Sequence, residues 1–364
     1  MLNLTNEKWG TIQILSCEGV GEATLNLIFK KFGSVLKALS SNPREFLKIG
    51  IKPKIAYGIF ESAKKFNKSK YENLLFRGVV PVFKDDSFYP ERLKRIPRPP
   101  SVLWCVGNVN LLLSCPQICV VGTRHNTQYG LEQTQRFVQF FCSRKVTIVS
   151  GLAAGIDTIA HNTAISCHGN TVGVVGYGIE RYFSDRNNKL FQEVSKNGLI
   201  ISPFDPFVRP SIKTFPQRNR IMAGISNAVL VVEAGEKSGA LITARFAYKY
   251  GIPVYAIPGD VNSWRSVGCN NLIKEQKAEI ATYPQDLCRC KDLSAVLENS
   301  AEECTLSEDE KRILEFLKDK VCSINDIRSK TGLSTPSVLK TLSNLELKGI
   351  IVNNSGLYSI CRSL

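Results

Sequence analysis

Between residues 71 and 290, short β-branched runs alternate with longer stretches whose apolar positions recur at helical spacing. The runs are GVVPVF, QICVVG, VTIVSG, TVGVVG, GLIISP, AVLVVEAG and IPVYAIPG. Each is apolar almost throughout, where a half-exposed strand would alternate with polar residues. Such strands are buried on both faces, and their separation by helices predicts a mostly parallel, doubly wound α/β sheet.

The flanks have other textures. Residues 1–70 read as helical, with a turn at Gly19 and Gly21 in CEGVGEATLNLIFKKFGS feeding an amphipathic helix, and a weaker echo in KIGIKPKIAYGIFESAKKF. The turn has the form of half a helix-hairpin-helix, whose helix N-terminus can hold a phosphate; a small helical bundle with a tight glycine turn is the alternative. A polar linker over 291–305 precedes a separate unit over 306–364. There LSEDEKRILEFLKDK, SINDIRSKTGL and STPSVLKTLSNLELKG read as three helices, the last capped by Ser334 or Thr335 with Pro336 just inside. IIVNNSGLYSI reads as two strands around a turn, which completes the outline of a winged helix. Its third helix carries Lys340 and Lys348 with Glu346 between them, whereas base reading in a major groove favours Arg, Asn or Gln. A partner-binding or weak DNA module fits that composition better than a sequence reader.

With 364 residues the chain is long enough for two or three domains. No apolar run reaches the roughly 18 residues of a membrane span. The start, MLNLTNEKWG, has no signal-peptide pattern, so a cytoplasmic protein is expected. The twelve cysteines are scattered through apolar segments (Cys105, Cys119, Cys142, Cys167). Cys288 and Cys290 are too close to begin a zinc quartet, and only three histidines are present. Reduced, mostly buried thiols are expected, with no metal and no cofactor. The net charge of +15 changes the picture more, because it points to a polyanionic partner, nucleic acid first.

In an open parallel sheet, ligands gather beyond the carboxyl ends of the strands. VVGTRHNTQYG leaves a strand at Gly122 and offers Thr123, Arg124 and Thr127; IVSGLAAGIDTIAH leaves one at Gly151; VVEAGEKSGALITA leaves one at Glu233, with Ser238 and Gly239 opening the next helix. Glycines for close approach, helix N-termini and an arginine fork together predict an anion-binding rim. There is no GxxxxGK[ST] loop, and Gly176-Tyr177-Gly178 lacks the third glycine of a dinucleotide fingerprint, which argues against ATP and NAD. Asp157 and His161, one turn apart, are expected to touch each other and orient a helix N-terminus, in preference to forming a catalytic dyad. Glu233 reads either as a base or as a buried clamp on Arg218 or Arg220, and the clamp is favoured. In TFPQRNRIMAGIS the IMAGI run is expected to pack a helix on the sheet, while Asn219 and Arg220 read either as binding residues or as fixing the loop before it, the latter favoured.

These motifs, in this order, resemble the DNA-processing protein A family, also called Smf. The match covers roughly residues 80–280, from YPERLKRIPRPPSVLWCVGN through VVGTRHNTQYG, SGLAAGIDTIAH, FPQRNRIMAGIS and VVEAGEKSGALITA to AIPGDVNSWRSVGCNNLI. The resemblance implies an extended Rossmann-like domain flanked by a small helical (SAM or helix-hairpin-helix-like) domain and a winged helix. It implies a binding protein and not an enzyme: a homodimer that binds and protects single-stranded DNA and loads the RecA recombinase during natural transformation, with single-strand binding protein as a further partner. Carried onto this chain, Gly122, Thr123, Arg124 and Thr127 would hold phosphate with Gly151 nearby. Lys213 and Arg218 would add charge, and Phe215 would stack on a base at about 1–3 kcal/mol. Departures from the family pattern at Pro203, Phe183 and Lys277 lie beside the motifs.

Two other readings remain open on the sequence. A Rossmann-type nucleotide phosphoribohydrolase would share the glycine-rich loops, but its Pro-Gly-Gly loop is replaced here by EAGEKSGALITA. A regulator acting through the winged helix would bind duplex DNA by sequence.

Overall fold

The computed structural model describes residues 4–114, 116–184, 189–289, 307–318, 320–347, 350–354 and 356–360. The linker expected at 291–305, together with Cys290 and Lys348, lies outside them.

Among the described residues, nine strands form one sheet: β1 (Val80–Phe83), β2 (Val102–Gly107), β3 (Gln117–Val121), β4 (Thr147–Ser150), β5 (Thr171–Val174), β6 (Leu199–Ser202), β7 (Ala228–Val231), β8 (Val254–Ala256) and β9 (Glu279–Ile280). The order across the sheet is β1-β2-β6-β5-β4-β3-β7-β8-β9. The central strands send alternate side chains into two cores. Cys119, Val121, Val149, Val229 and Val231 enter one, while Ile118, Val120, Ile148, Ala228 and Leu230 enter the other. That double burial is why the runs are apolar throughout.

Helices Gln128–Ser143 and Ile156–Ser166 cover one face, through Phe137, Phe141 and Ala160. Helices Thr214–Ile225 and Ala240–Lys249 cover the other, through Ile221, Met222, Leu241 and Ala244. From β6 to β9 all pairings are parallel. The chain winds outward from β3 in one direction to β6 and in the other, from β7, to β9. The β3–β7 boundary is therefore the topological switch point, where a crevice opens beyond the strand ends.

The sheet is mostly parallel, as expected, and its antiparallel pairings lie at one edge. β1 and β2 are antiparallel to each other, and β2 is antiparallel to β6. β2 was not among the expected strands; its segment, SVLWCVG, follows a proline-rich stretch that masks the run.

The N-terminal helices rest on this edge. Lys8 Nζ lies 2.5 Å from Asp86 Oδ1. Ser101 donates to the Glu22 carboxylate from its amide at 2.8 Å and from its hydroxyl at 2.5 Å. Tyr71 donates to Asp205 Oδ2 at 2.7 Å. Gly19 does adopt the left-handed conformation, φ +83°, that its turn requires. The helix that follows, Glu22–Phe32, turns its first residue toward Ser101, so that end serves domain docking. Helix Lys68–Phe76 runs across residue 70 and carries Tyr71 into the core domain.

The C-terminal unit holds helices Glu308–Leu317, Ile324–Thr331 and Thr335–Leu347. Strands Cys322–Ser323, Leu357–Ile360 and Ile351–Asn354 lie in that order in a small sheet. This is a winged helix with one short strand more than the sequence announced. Capping boxes at Ser307/Glu310 and Ser323/Asp326 begin the first two helices. Ser334 accepts from the Ser337 amide at the third.

Of the cysteines read as buried, Cys105, Cys119 and Cys142 are, whereas Cys167 caps the C-terminus of its helix and is exposed. No described helix is long and apolar enough to cross a membrane.

Candidate nucleic-acid interface

Beyond β3 and β7 the crevice widens into a cleft of about 670 Å³. One wall is the loop after β3, with Gly122, Thr123, Arg124 and His125; another is the loop after β7, from Gly235 to Gly239. The third is one face of helix Thr214–Ile225, presenting Phe215, Arg218, Asn219 and Met222. Those four fall at i, i+3, i+4 and i+7, the spacing that puts side chains on one helix face. The helix begins at Thr214, so the whole aromatic-basic motif is helical and not a loop ahead of an apolar run. Pro216 is compatible with this because it sits in the first turn, where the amides have no helical partner.

Each loop is held by close backbone approach. Thr123 donates from its amide to Glu233 O at 2.7 Å and accepts from the Ile156 amide at 3.2 Å. A Cβ on Gly155, which has φ +80°, would strike the Thr123 carbonyl. A Cβ on Gly151 would fall inside the Arg218 guanidinium. Beside it Leu152 holds a positive φ of 56°, its side chain packed on Gly173. A non-glycine residue in that conformation is strained, and such strain concentrates at functional sites.

Arg218 is 5% exposed and lies in the cleft floor. Its Nη1 donates to Val174 O at 2.9 Å, while its buried Nε has no hydrogen-bond partner among the described residues. Burial lowers its pKa, and the neighbouring Asp157 charge works in the opposite direction. Burial likewise raises the pKa of Asp157, against the pull of Arg218 and of the amides it accepts. The carboxylate of Asp157 accepts from the Gly151 amide at 3.1 Å. Arg218 is therefore a buried charge partly compensated by Asp157, and both side chains line the cleft.

Several expected partnerships are different in the structure. Asp157 and His161 were expected to meet; instead His161 Nδ1 lies 2.7 Å from Thr171 Oγ1, one strand over. Burial, and secondarily the Arg218 charge, lower the His161 pKa to about 3, so the ring is neutral. Glu233 was expected to clamp Arg218 or Arg220; it accepts from the Thr127 amide at 2.9 Å and lies under Gly130. A buried carboxylate at a helix N-terminus gains both hydrogen bond and dipole, and that position draws Glu233 away from the arginines. Arg220 points out of the cleft and donates to Pro97 O at 3.1 Å and Arg98 O at 2.9 Å. Arg98 has φ +53°, so Arg220 fastens a strained turn. Asn219 Nδ2 donates to Gly239 O at 3.2 Å and ties the helix to the β7 loop.

Not every expected binding residue reaches the cleft. Thr127 spends its hydroxyl on the Gly130 amide, at 3.1 Å, as a helix cap. Gly151 lies beneath Arg218, and Lys213 is exposed just before Thr214, off the cleft lining. Of the three expected helix N-termini, that of Gln128–Ser143 is occupied by Glu233, and the first amide of Ile156–Ser166 is spent on Thr123 O. The third, where Ser238 Oγ accepts from the Ala240 amide at 3.3 Å, borders the cleft with Gly239.

The sequence reading missed His125, Lys237 and Trp264, which also line the cleft. Lys237 lay within a quoted motif, and a WR pair in the last motif was the available signal for Trp264. Among the described residues no cluster of three metal-ligating side chains occurs.

A family model described as DNA recombination-mediator protein A matches residues 81–292, and one for the DprA winged helix domain matches residues 298–356. The chain is 32% identical over 310 residues to protein Smf of Synechocystis, covering 75% of this chain and 78% of that one. It is 38% identical over 202 residues to DNA processing protein DprA of Streptococcus pneumoniae, covering 56% and 71%. The X-ray structure of DprA from Streptococcus pneumoniae aligns with TM-score 0.67 and 30% identity, covering 79% of this chain and 98% of that one. A structure of DNA processing protein A from Helicobacter pylori, described for its single-stranded DNA binding mode, aligns with TM-score 0.53 and 28% identity, covering 60% and 96%.

Proposed function

The chain belongs to the DNA recombination-mediator protein A family, and from that premise we propose that its cleft binds single-stranded DNA. The observation that carries this reading is the convergence, at the switch point, of an aromatic ring with exposed and buried cations. Phe215 lines the cleft half-buried, Arg124 and Lys237 reach solvent, and Arg218 lies in the floor. Phosphates would sit along Thr123–Arg124 and the Gly239 helix end, and a base would stack on Phe215. This division of labour suits single strands, because stacking needs an unpaired base and tolerates any of the four. The net charge of +15 supports the same partner. Lys213, one residue before the helix, would add to the field.

As a homodimer acting in the cytoplasm, the protein would protect incoming strands and load RecA onto them, displacing single-strand binding protein. Family membership supports that role. The winged helix would serve a partner, consistent with the sparse basic residues on its third helix.

Titration of a fluorescent oligo(dT) at several salt concentrations tests the cleft. Arg124→Ala should weaken binding across sequences and lower the salt slope by about 1. Phe215→Ala should cost single-strand affinity more than duplex affinity. Unchanged affinity and slope in the arginine variant, with equal single-strand and duplex losses in the phenylalanine variant, would remove the proposal.

A further inference from the structure

Trp264 is out of keeping with the other tryptophans. Trp104 is buried at 3% exposure and Trp9 packs against the same core, but Trp264 is 62% exposed at the cleft rim. Singly exposed apolar side chains are common on this surface, so it is the placement of this indole at the cleft rim that points to a ligand. Nor is the ring a mobile ornament. Its loop is fixed by Ser263 N to Asp260 O at 3.0 Å, by Ser266 N to Ser263 O at 2.9 Å, and by Asn262 N to Asp260 Oδ1 at 2.9 Å. A Cβ on Gly235 would come within 3.2 Å of the Trp264 carbonyl and 3.4 Å of its ring, so the residue lies closely along the β7 loop.

Arg265 adds the second constraint. Its guanidinium carbon is 4.5 Å from the Trp264 ring centroid, and its Nε donates to His125 O at 3.1 Å. One side chain therefore braces the indole and fastens it to the loop that carries Arg124. A ring held this way loses little freedom on meeting a ligand, which favours binding by preorganisation.

We propose that Trp264, braced by Arg265, is a second base-stacking platform, at the opposite end of the cleft from Phe215. The inference rests on the single-strand reading above and adds the path of the strand. Phe215 lies on Gly176, just after β5, and Trp264 lies on Gly235, just after β7. Three strand intervals separate β5 from β7, about 14 Å. Stacked bases rise only about 3.4 Å, so anchors on strands that far apart favour two bases separated along the strand over one shared base. They hold two bases a few nucleotides apart, with the intervening phosphates over the Arg124 and Arg218 charges. The strand is therefore pulled out of its own stack across the cleft.

The test uses the full-length protein and oligo(dT) in which a single abasic site is moved along the strand. Wild-type protein should show two separated positions where the abasic site weakens binding, each by about ten-fold. Trp264→Ala should lose about ten-fold in affinity, keep the salt slope, and abolish one of the two sensitive positions. Trp264→Phe should restore most of the affinity and the second position, which a merely structural role would not predict. A Trp264→Ala protein with wild-type affinity and both sensitive positions overturns the inference, while an effect of Arg124→Ala in the same assay leaves the single-strand reading standing. If Arg124→Ala and Phe215→Ala are also silent, the cleft reading and this inference fall together.

Discussion

His161 shows how far a single residue departs from what its neighbours in sequence suggest. Asp157 lies one helical turn away, yet the imidazole pairs with Thr171 on β5 and the carboxylate pairs with the Gly151 amide. The choice is tertiary: both groups are buried, and each takes the partner that the sheet presents. With a folded pKa near 3 against an ordinary 6.5, the folded protein declines a proton that the unfolded chain accepts. Stability from this group is complete above about pH 6.5 and is lost as the pH falls toward about 3, with a slope approaching one proton. Urea midpoints between pH 7 and 4 should therefore fall less steeply in His161→Gln than in wild type, although the variant starts lower for want of the Thr171 contact. Parallel pH profiles would show that His161 is not the group responsible. The same logic explains which site residues were legible. Gly122, Thr123 and Arg124 could be placed at the cleft from their position at a strand end, whereas Phe215 and Arg218 entered through the family resemblance, and the structure puts all five on the cleft lining. The partners of Glu233 and Arg220 could not be read locally, because they lie 106 and 122 or 123 residues away.

At the scale of elements, helix Thr214–Ile225 forms one wall of the cleft and is fastened from both sides. Asn219 ties it to the β7 loop, and Arg220 ties it to the strained Pro97–Arg98 turn. The segment leading into it, after β6, is anchored by Asp205, whose carboxylate accepts from Tyr71 of the N-terminal unit and from the Phe207 amide at 3.0 Å. Burial raises the Asp205 pKa despite these donors, so the group has little donor capacity to lose. Tyr71→Phe keeps the ring packed beside Trp104 and Phe207 but removes one donor. It should destabilise by about 1–3 kcal/mol, the cost of a buried acceptor left short. Thermal unfolding measures this directly, and an unchanged midpoint would mean that the Tyr71 hydroxyl is dispensable. Apolar runs announced the seven strands quoted from the sequence, since burial on both faces leaves a compositional trace. The antiparallel edge left none, because an apolar run carries no sign of its direction. The early start of Thr214–Ile225 was hidden by Pro216, which reads as a breaker unless it is known to occupy a first turn.

For the whole molecule, the architecture divides the work. The N-terminal helices brace the edge of the sheet through Glu22, Lys8 and Tyr71. The doubly wound domain builds a charged cleft at its switch point, and the winged helix adds a unit whose third helix is poor in base-reading side chains. The doubly wound sheet and the winged helix were visible in the sequence because near-continuous apolar runs mark the strands of the first and helical spacing marks the helices of the second. The central claim is that a single strand lies across the cleft, with phosphate at Arg124 and a base on Phe215. A crystal structure of the full-length protein with a short oligo(dT) tests it most directly. Phosphate oxygens should lie within hydrogen-bond distance of Arg124, with a thymine stacked on the Phe215 ring. A strand bound elsewhere, on the winged helix or the N-terminal helices, with the cleft holding only solvent, would contradict it.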